Sequence, residues 1–143
     1  MAKASRSGKS LTAQTTARLR QFGLRPTRQR VELAGLLFGD CDRHVTAENL
    51  HDEITKAGAK VSLATVYNTL HQFTEAGLLR QVIVDAARSY FDTNTGDHQH
   101  FFLEKEGMLI DIPGEAISVA GVPTPPPGLT VDRVDVVVRV KRA

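Results

Sequence analysis

The sequence predicts an α+β chain in two unequal parts, on three observations. The first half carries helical periodicities bounded by capping residues and glycines. Residues 79–92 then read as a two-stranded hairpin, and everything beyond Thr93 is strand, turn or proline-rich connection. A length of 143 residues suits one domain or two small ones, and 41% hydrophobic with 24% charged residues is an ordinary globular composition. No stretch approaches the roughly 18 consecutive apolar residues of a membrane span. Met1 to Ser10 lacks the apolar core of a signal peptide, so a cytoplasmic protein is expected.

Residues 1–11 read as a flexible basic arm. The first helix is expected over Thr12 to Phe22, stopped by Gly23. Thr27 can cap a second over Arg28 to Phe38, and Thr46 a third over Ala47 to Ala57, with Glu48 near its positive end. Ser62 opens a fourth helix through Glu75, closed by Gly77, whose Leu63, Val66, Leu70 and Phe73 are spaced to face the core. Its other face holds Ala64, Thr65, Asn68, His71 and Gln72, with Tyr67 at the border, all uncharged and either small or hydrogen-bonding. With the strands Leu79 to Val84 and Arg88 to Asp92, this is the pattern of a winged helix-turn-helix over residues 12–92, in which the last helix enters the major groove.

Charge points the same way. Residues 1–30 hold eight basic side chains, Arg25, Arg28 and Arg30 among them, and no acidic one. Up to Gly77, eleven basic against seven acidic groups leave +4, and from Leu78 onward seven against nine leave −2. The positive half is therefore the expected double-stranded DNA face.

Asn94-Thr95-Gly96-Asp97 has turn chemistry, and residues 93–97 read as a hinge to a second unit, 98–143. Strands are expected at His100 to Glu104 and Met108 to Ile112, with one or two helical turns over Gly114 to Val119. The run Pro123-Thr124-Pro125-Pro126-Pro127-Gly128 forms an extended connection, and Val131 to Val140 alternates as a strand, with Val134, Val136, Val138 and Val140 on one face. A unit of about fifty residues holds little core alone. It is expected to be an α/β dimerisation domain whose valine strand faces a second copy, so that a two-fold homodimer meets a palindromic site.

The chemistry lies in His98-Gln99-His100. Histidines at i and i+2 of a strand project from one face with Cα atoms about 7 Å apart, so both imidazoles can meet one cation. His44, Asp92 and Asp111 are further candidate ligands, and three imidazoles with two carboxylates suit divalent iron, manganese or zinc. Cys41 is the only cysteine, so neither an internal disulfide nor a structural four-cysteine zinc site is expected. A metal-dependent hydrolase or oxygenase could use the same donors, but no additional base or substrate-shaped motif accompanies them, and no enzyme is expected.

Several separated motifs carry a resemblance across residues 12–112: Gly23-Leu24-Arg25-Pro26-Thr27-Arg28-Gln29-Arg30, His44-Val45-Thr46-Ala47-Glu48, Ser62-Leu63-Ala64-Thr65-Val66-Tyr67 with Leu70, Phe73 and Gly77-Leu78, and His98-Gln99-His100. Through them the chain resembles the ferric uptake regulator family of metal-sensing bacterial repressors. The resemblance implies that His44, Asp92, His98, His100 and Asp111 form the family's regulatory metal site between the domains, that Tyr67 contacts bases, and that Arg25 enters the minor groove. Two departures stand out. Leu103 and Glu106 replace the cysteines that follow the histidine pair in many members, and the proline run shortens the usual carboxyl-terminal helix. Both features resemble the iron response regulator branch, whose members control haem synthesis and iron handling, bind DNA when iron is scarce and are released through haem. His98 and His100 are then the haem candidates, since Cys41 precedes Asp42 rather than a proline. The alternatives within the family are a regulator needing Fe(II) or Mn(II) as co-repressor, and a peroxide sensor, which this chain resembles in its aspartate ligands.

Overall fold

The computed structural model describes residues 2–143, with side chains from Leu11 onward. The chain separates into two compact units, one ending at Thr95 and the other spanning Gly96–Ala143.

The first unit runs α1 (Ala2–Gln21), α2 (Arg28–Leu37), β1 (His44–Val45), α3 (Ala47–Lys56), α4 (Leu63–Glu75), β2 (Arg80–Ile83) and β3 (Ser89–Asp92). Helical backbone starts at Ala2, where the sequence reading placed an arm and a start at Thr12. No proline interrupts residues 2–21, and lysine, arginine and alanine are good helix formers. The three expected caps form. The hydroxyls of Thr27, Thr46 and Ser62 accept from the amides of Arg30, Asn49 and Thr65 at 3.3, 3.1 and 3.1 Å. At the end of α4, Gly77 takes φ +91°, which lets the Leu78 amide reach back to the Phe73 carbonyl at 2.9 Å.

Val66, Leu70 and Phe73 of α4 are fully buried, in a core shared with Leu19 of α1, Leu33 and Leu37 of α2, Leu50 of α3 and Phe91 of β3. Leu63 departs from the expected face and stands 40% exposed. It is the first helical residue after the cap, so no preceding turn exists for it to pack along. The wing is the antiparallel β2–β3 pair, and β1 adds to its β3 side, giving the order β1-β3-β2. Between β2 and β3, Asp85 accepts the amides of Ala87 and Arg88 and the Arg88 guanidinium. The guanidinium and these amides hold its carboxyl below the ordinary aspartate range.

The second unit is a three-stranded sheet in the order β5-β4-β6, built from β4 (His98–Leu103), β5 (Met108–Pro113) and β6 (Val137–Val140). β4 pairs antiparallel with β5 and parallel with β6. The histidine pair lies inside β4 rather than ahead of it, and the terminal strand is confined to its last four residues. The expected helical turns reduce to one 3-10 turn, Gly114–Ala116. A Cβ at Gly114 would stand 2.5 Å from the Asp97 carbonyl oxygen, so this close approach requires glycine. Among the described residues, no helix is long and apolar enough to cross a membrane.

Candidate metal centre and nucleic-acid face

In the first unit, antiparallel pairing sets His44 of β1 opposite Asp92 of β3. Facing residues of a ladder bring their Cβ atoms within about 4.5–5.5 Å, and here His44 Nε2 lies 3.2 Å from Asp92 Oδ2. Asp92 is fully buried, and its Oδ1 accepts the Asn94 amide at 2.9 Å, which fixes the carboxylate plane. Arg43 braces this corner. Its amide donates to Thr93 Oγ1 at 2.8 Å, and its guanidinium grips both Glu53 oxygens, at 3.1 and 2.7 Å, and the Leu36 carbonyl at 2.8 Å. The strand carrying His44 is thereby tied to both α2 and α3. Sequence reasoning missed this brace, because Arg43 and Glu53 follow no recognisable spacing.

The second unit repeats the arrangement. His100 of β4 stands opposite Asp111 of β5, and His98, two residues earlier, shares that face. The two imidazole centroids are 4.6 Å apart. His98 Nε2 and His100 Nε2 lie 3.4 and 3.5 Å from the same Asp111 Oδ1. A charge-assisted hydrogen bond would be about 2.7–2.9 Å. Two donors sharing a first-row ion at about 2.1 Å, by contrast, stand roughly 3.0–3.4 Å apart at octahedral to tetrahedral angles. The three residues therefore fit a divalent cation. His98 Nδ1–H donates to the Gly96 carbonyl at 2.7 Å, which assigns the Nε2 lone pair to the ligand side.

Gln99 projects from the opposite face of β4, and its role was not legible in the sequence. Its side-chain amide donates to the Val134 carbonyl at 3.2 Å and accepts the Val136 amide at 2.7 Å, which extends the ladder toward β6 by one side-chain rung. The His100 amide donates to the Val136 carbonyl at 3.3 Å, and the backbone ladder runs on from there through Val137–Val140. Val137, Val138 and Val140 are half-buried, while Val134 is exposed, so the expected single valine face is not kept. Gln99→Leu leaves two backbone groups without these partners. It is expected to cost about 1–3 kcal/mol and to speed amide exchange at Val136. Unchanged denaturation and exchange would show that the rung contributes nothing.

The DNA candidates divide. Arg25, Arg30, Thr65 and Asn68 line one depression of about 460 Å³ between the start of α2 and α4. Arg30 bridges it, donating to the Arg25 carbonyl and to Gln72 Oε1, both at 3.0 Å. Ala64 and Tyr67 are exposed on α4 outside that depression. Arg28 lies outside it too, paired with Glu32 at 3.0 Å. His51 Nε2–H donates to the Val61 carbonyl at 2.9 Å and ties α3 to the segment before α4.

The family model for the ferric uptake regulator family matches residues 21–121. The chain is similar to the peroxide-responsive repressor PerR of Staphylococcus aureus (strain Mu50 / ATCC 700699), with 32% identity over 98 residues, 68% of this chain and 66% of that protein. The match thus spans just under two thirds of that relative. Among solved structures it is similar to the ferric uptake regulator from Pseudomonas aeruginosa with manganese, at 27% identity and a TM-score of 0.66 over 90% of this chain and 97% of the other. It is also similar to a zinc-bound manganese uptake regulator, at 25% identity and a TM-score of 0.64 over 90% and 99%. The family match contains both His/Asp strand pairs, the whole of α4 and the wing, and on that ground this chain belongs to the ferric uptake regulator family.

Proposed function

We propose that this protein is a metal-responsive, DNA-binding transcription regulator, acting mainly as a repressor and as a homodimer on palindromic operators. The observation that carries the reading is the convergence of His98, His100 and Asp111 at donor spacings longer than hydrogen bonds. His44 and Asp92 complete the ligand set. Each half alone supplies two or three donors, short of the four to six that a first-row ion takes. Five residues, 93–97, separate Asp92 from His98. That linker keeps the two Cα atoms within about 20 Å of one another. The bound ion supplies positive charge and a fixed coordination geometry, and Arg43, Gly96 and Asn94 hold the ligands in orientation.

Arg25, Arg28 and Arg30 meet phosphates or the minor groove, and Ala64, Thr65, Tyr67 and Asn68 present α4 to base edges. The test uses an operator selected from random DNA, with affinity measured by anisotropy against Mn(II), Fe(II), Zn(II) and haem. Tyr67→Ala is expected to lose about 1–3 kcal/mol of specificity. Arg25→Ala is expected to weaken all DNA binding and lower the salt slope by about one. An unchanged ratio of specific to non-specific affinity in Tyr67→Ala would remove Tyr67 from the base-reading role.

A second reading follows the iron response regulator branch and is favoured by Leu103 and Glu106 in place of cysteines. It predicts operator binding without added metal and release by haem through His98 or His100. Haem without effect, beside affinity that rises with Mn(II) or Fe(II), eliminates it. Loss of DNA binding only when peroxide meets the Fe(II)-loaded protein would instead identify a peroxide sensor.

A further inference from the structure

We infer that His71 is the positioning residue that holds Tyr67 in its base-reading orientation, an inference that rests on the DNA-binding reading above. On a helix, residues four apart are neighbours on one face. The Tyr67 and His71 rings accordingly stack at 4.9 Å between centroids, tilted by 44°. His71 in turn meets Phe91 edge-on at 5.5 Å and 87°, and Phe91 also meets Tyr67 at 6.2 Å and 88°.

The three rings differ in how firmly they are held. Phe91 is fully buried, in a strand hydrogen-bonded on both sides, opposite Val45 of β1 and Gln81 of β2. Tyr67 is 38% exposed. His71, half-buried, stands between the fixed ring and the exposed one. A half-exposed tyrosine has more than one staggered χ1 state open to it, and each delivers the hydroxyl to a different place. Two ring contacts leave one of them favoured. The remaining neighbours one turn away on α4 are Leu63, itself exposed, Ala64, which is too short to reach, and Leu70, which points into the core. Among these α4 neighbours His71 is the one that touches both rings, and its 4.9 Å contact with Tyr67 is closer than the direct 6.2 Å contact from Phe91. Phe91 also adjoins Asp92, so the cluster grows from the strand that carries a candidate metal ligand.

The chain allows a direct readout. It has no tryptophan and two tyrosines, and Tyr90 is only 7% exposed, so a soluble quencher of tyrosine emission reports chiefly on Tyr67. In the metal-loaded full chain, His71→Ala is expected to lower the specific to non-specific affinity ratio about threefold to tenfold, the worth of one aromatic contact, and to raise quenching. His71→Phe keeps a ring in place and is expected to restore both. In the Tyr67→Ala background, His71→Ala is expected to cost nothing further. The inference is overturned if His71→Ala leaves the ratio unchanged while Tyr67→Ala lowers it. It is also overturned if His71→Ala still lowers the ratio without Tyr67, which would make His71 a direct DNA contact. If Tyr67→Ala itself leaves the ratio unchanged, the DNA-binding reading of Tyr67 fails first and takes this inference with it.

Discussion

Replacing His98 and His100 together by alanine is expected to abolish the metal response while leaving a folded chain. Loss of an outer partner of a metal ligand already costs about 10- to 100-fold in affinity, so removing two direct donors is expected to cost more than about 100-fold. Asp111 would remain alone on its strand, and His44 with Asp92 cannot complete a coordination shell. The helices survive because their caps and their core, from Leu19 to Phe91, contain neither histidine. Mn(II) competition against a chelator, read beside far-ultraviolet circular dichroism, checks both halves. Retained tight metal binding by a folded double variant would place the metal elsewhere.

Phe73→Ala is expected to cost about 3–5 kcal/mol, as for other large-to-small changes in a packed core. Phe73 is fully buried in the core, so truncating its ring leaves a cavity among the helices. Such a loss is a large part of the roughly 5–15 kcal/mol that holds a domain together. Leu63→Ala is the contrast. At 40% exposure, and with no place in the core, it is expected to change stability by no more than about 0.5 kcal/mol. Urea denaturation of the two variants measures which face of α4 is buried. Similar costs for both would mean that Leu63 packs as its spacing alone predicts.

Local patterns made much of this molecule legible. Thr27, Thr46 and Ser62 were identifiable as caps because a hydroxyl three residues ahead of an amide can close the first helical turn whatever the rest of the chain does. Val66, Leu70 and Phe73 were identifiable as core because their spacing follows the helical period. The period misjudged Leu63, since periodicity describes a helix interior and Leu63 sits at its end. It also overextended the valine tail, because alternation permits a strand but hydrogen-bond partners decide its length.

The sequence by itself determined the inventory of donors and the parity that puts His98 and His100 on one face, because these follow from residue identity and the two-residue repeat of a strand. Only the tertiary structure decided that Asp92 stands opposite His44 and Asp111 opposite His100. It alone brought Gln99 to backbone 35 and 37 residues away, and His71 to the ring of Phe91. Each of these contacts depends on register between segments remote in the chain. Register is set by how whole strands and helices bury their apolar faces, and no local pattern encodes that sum.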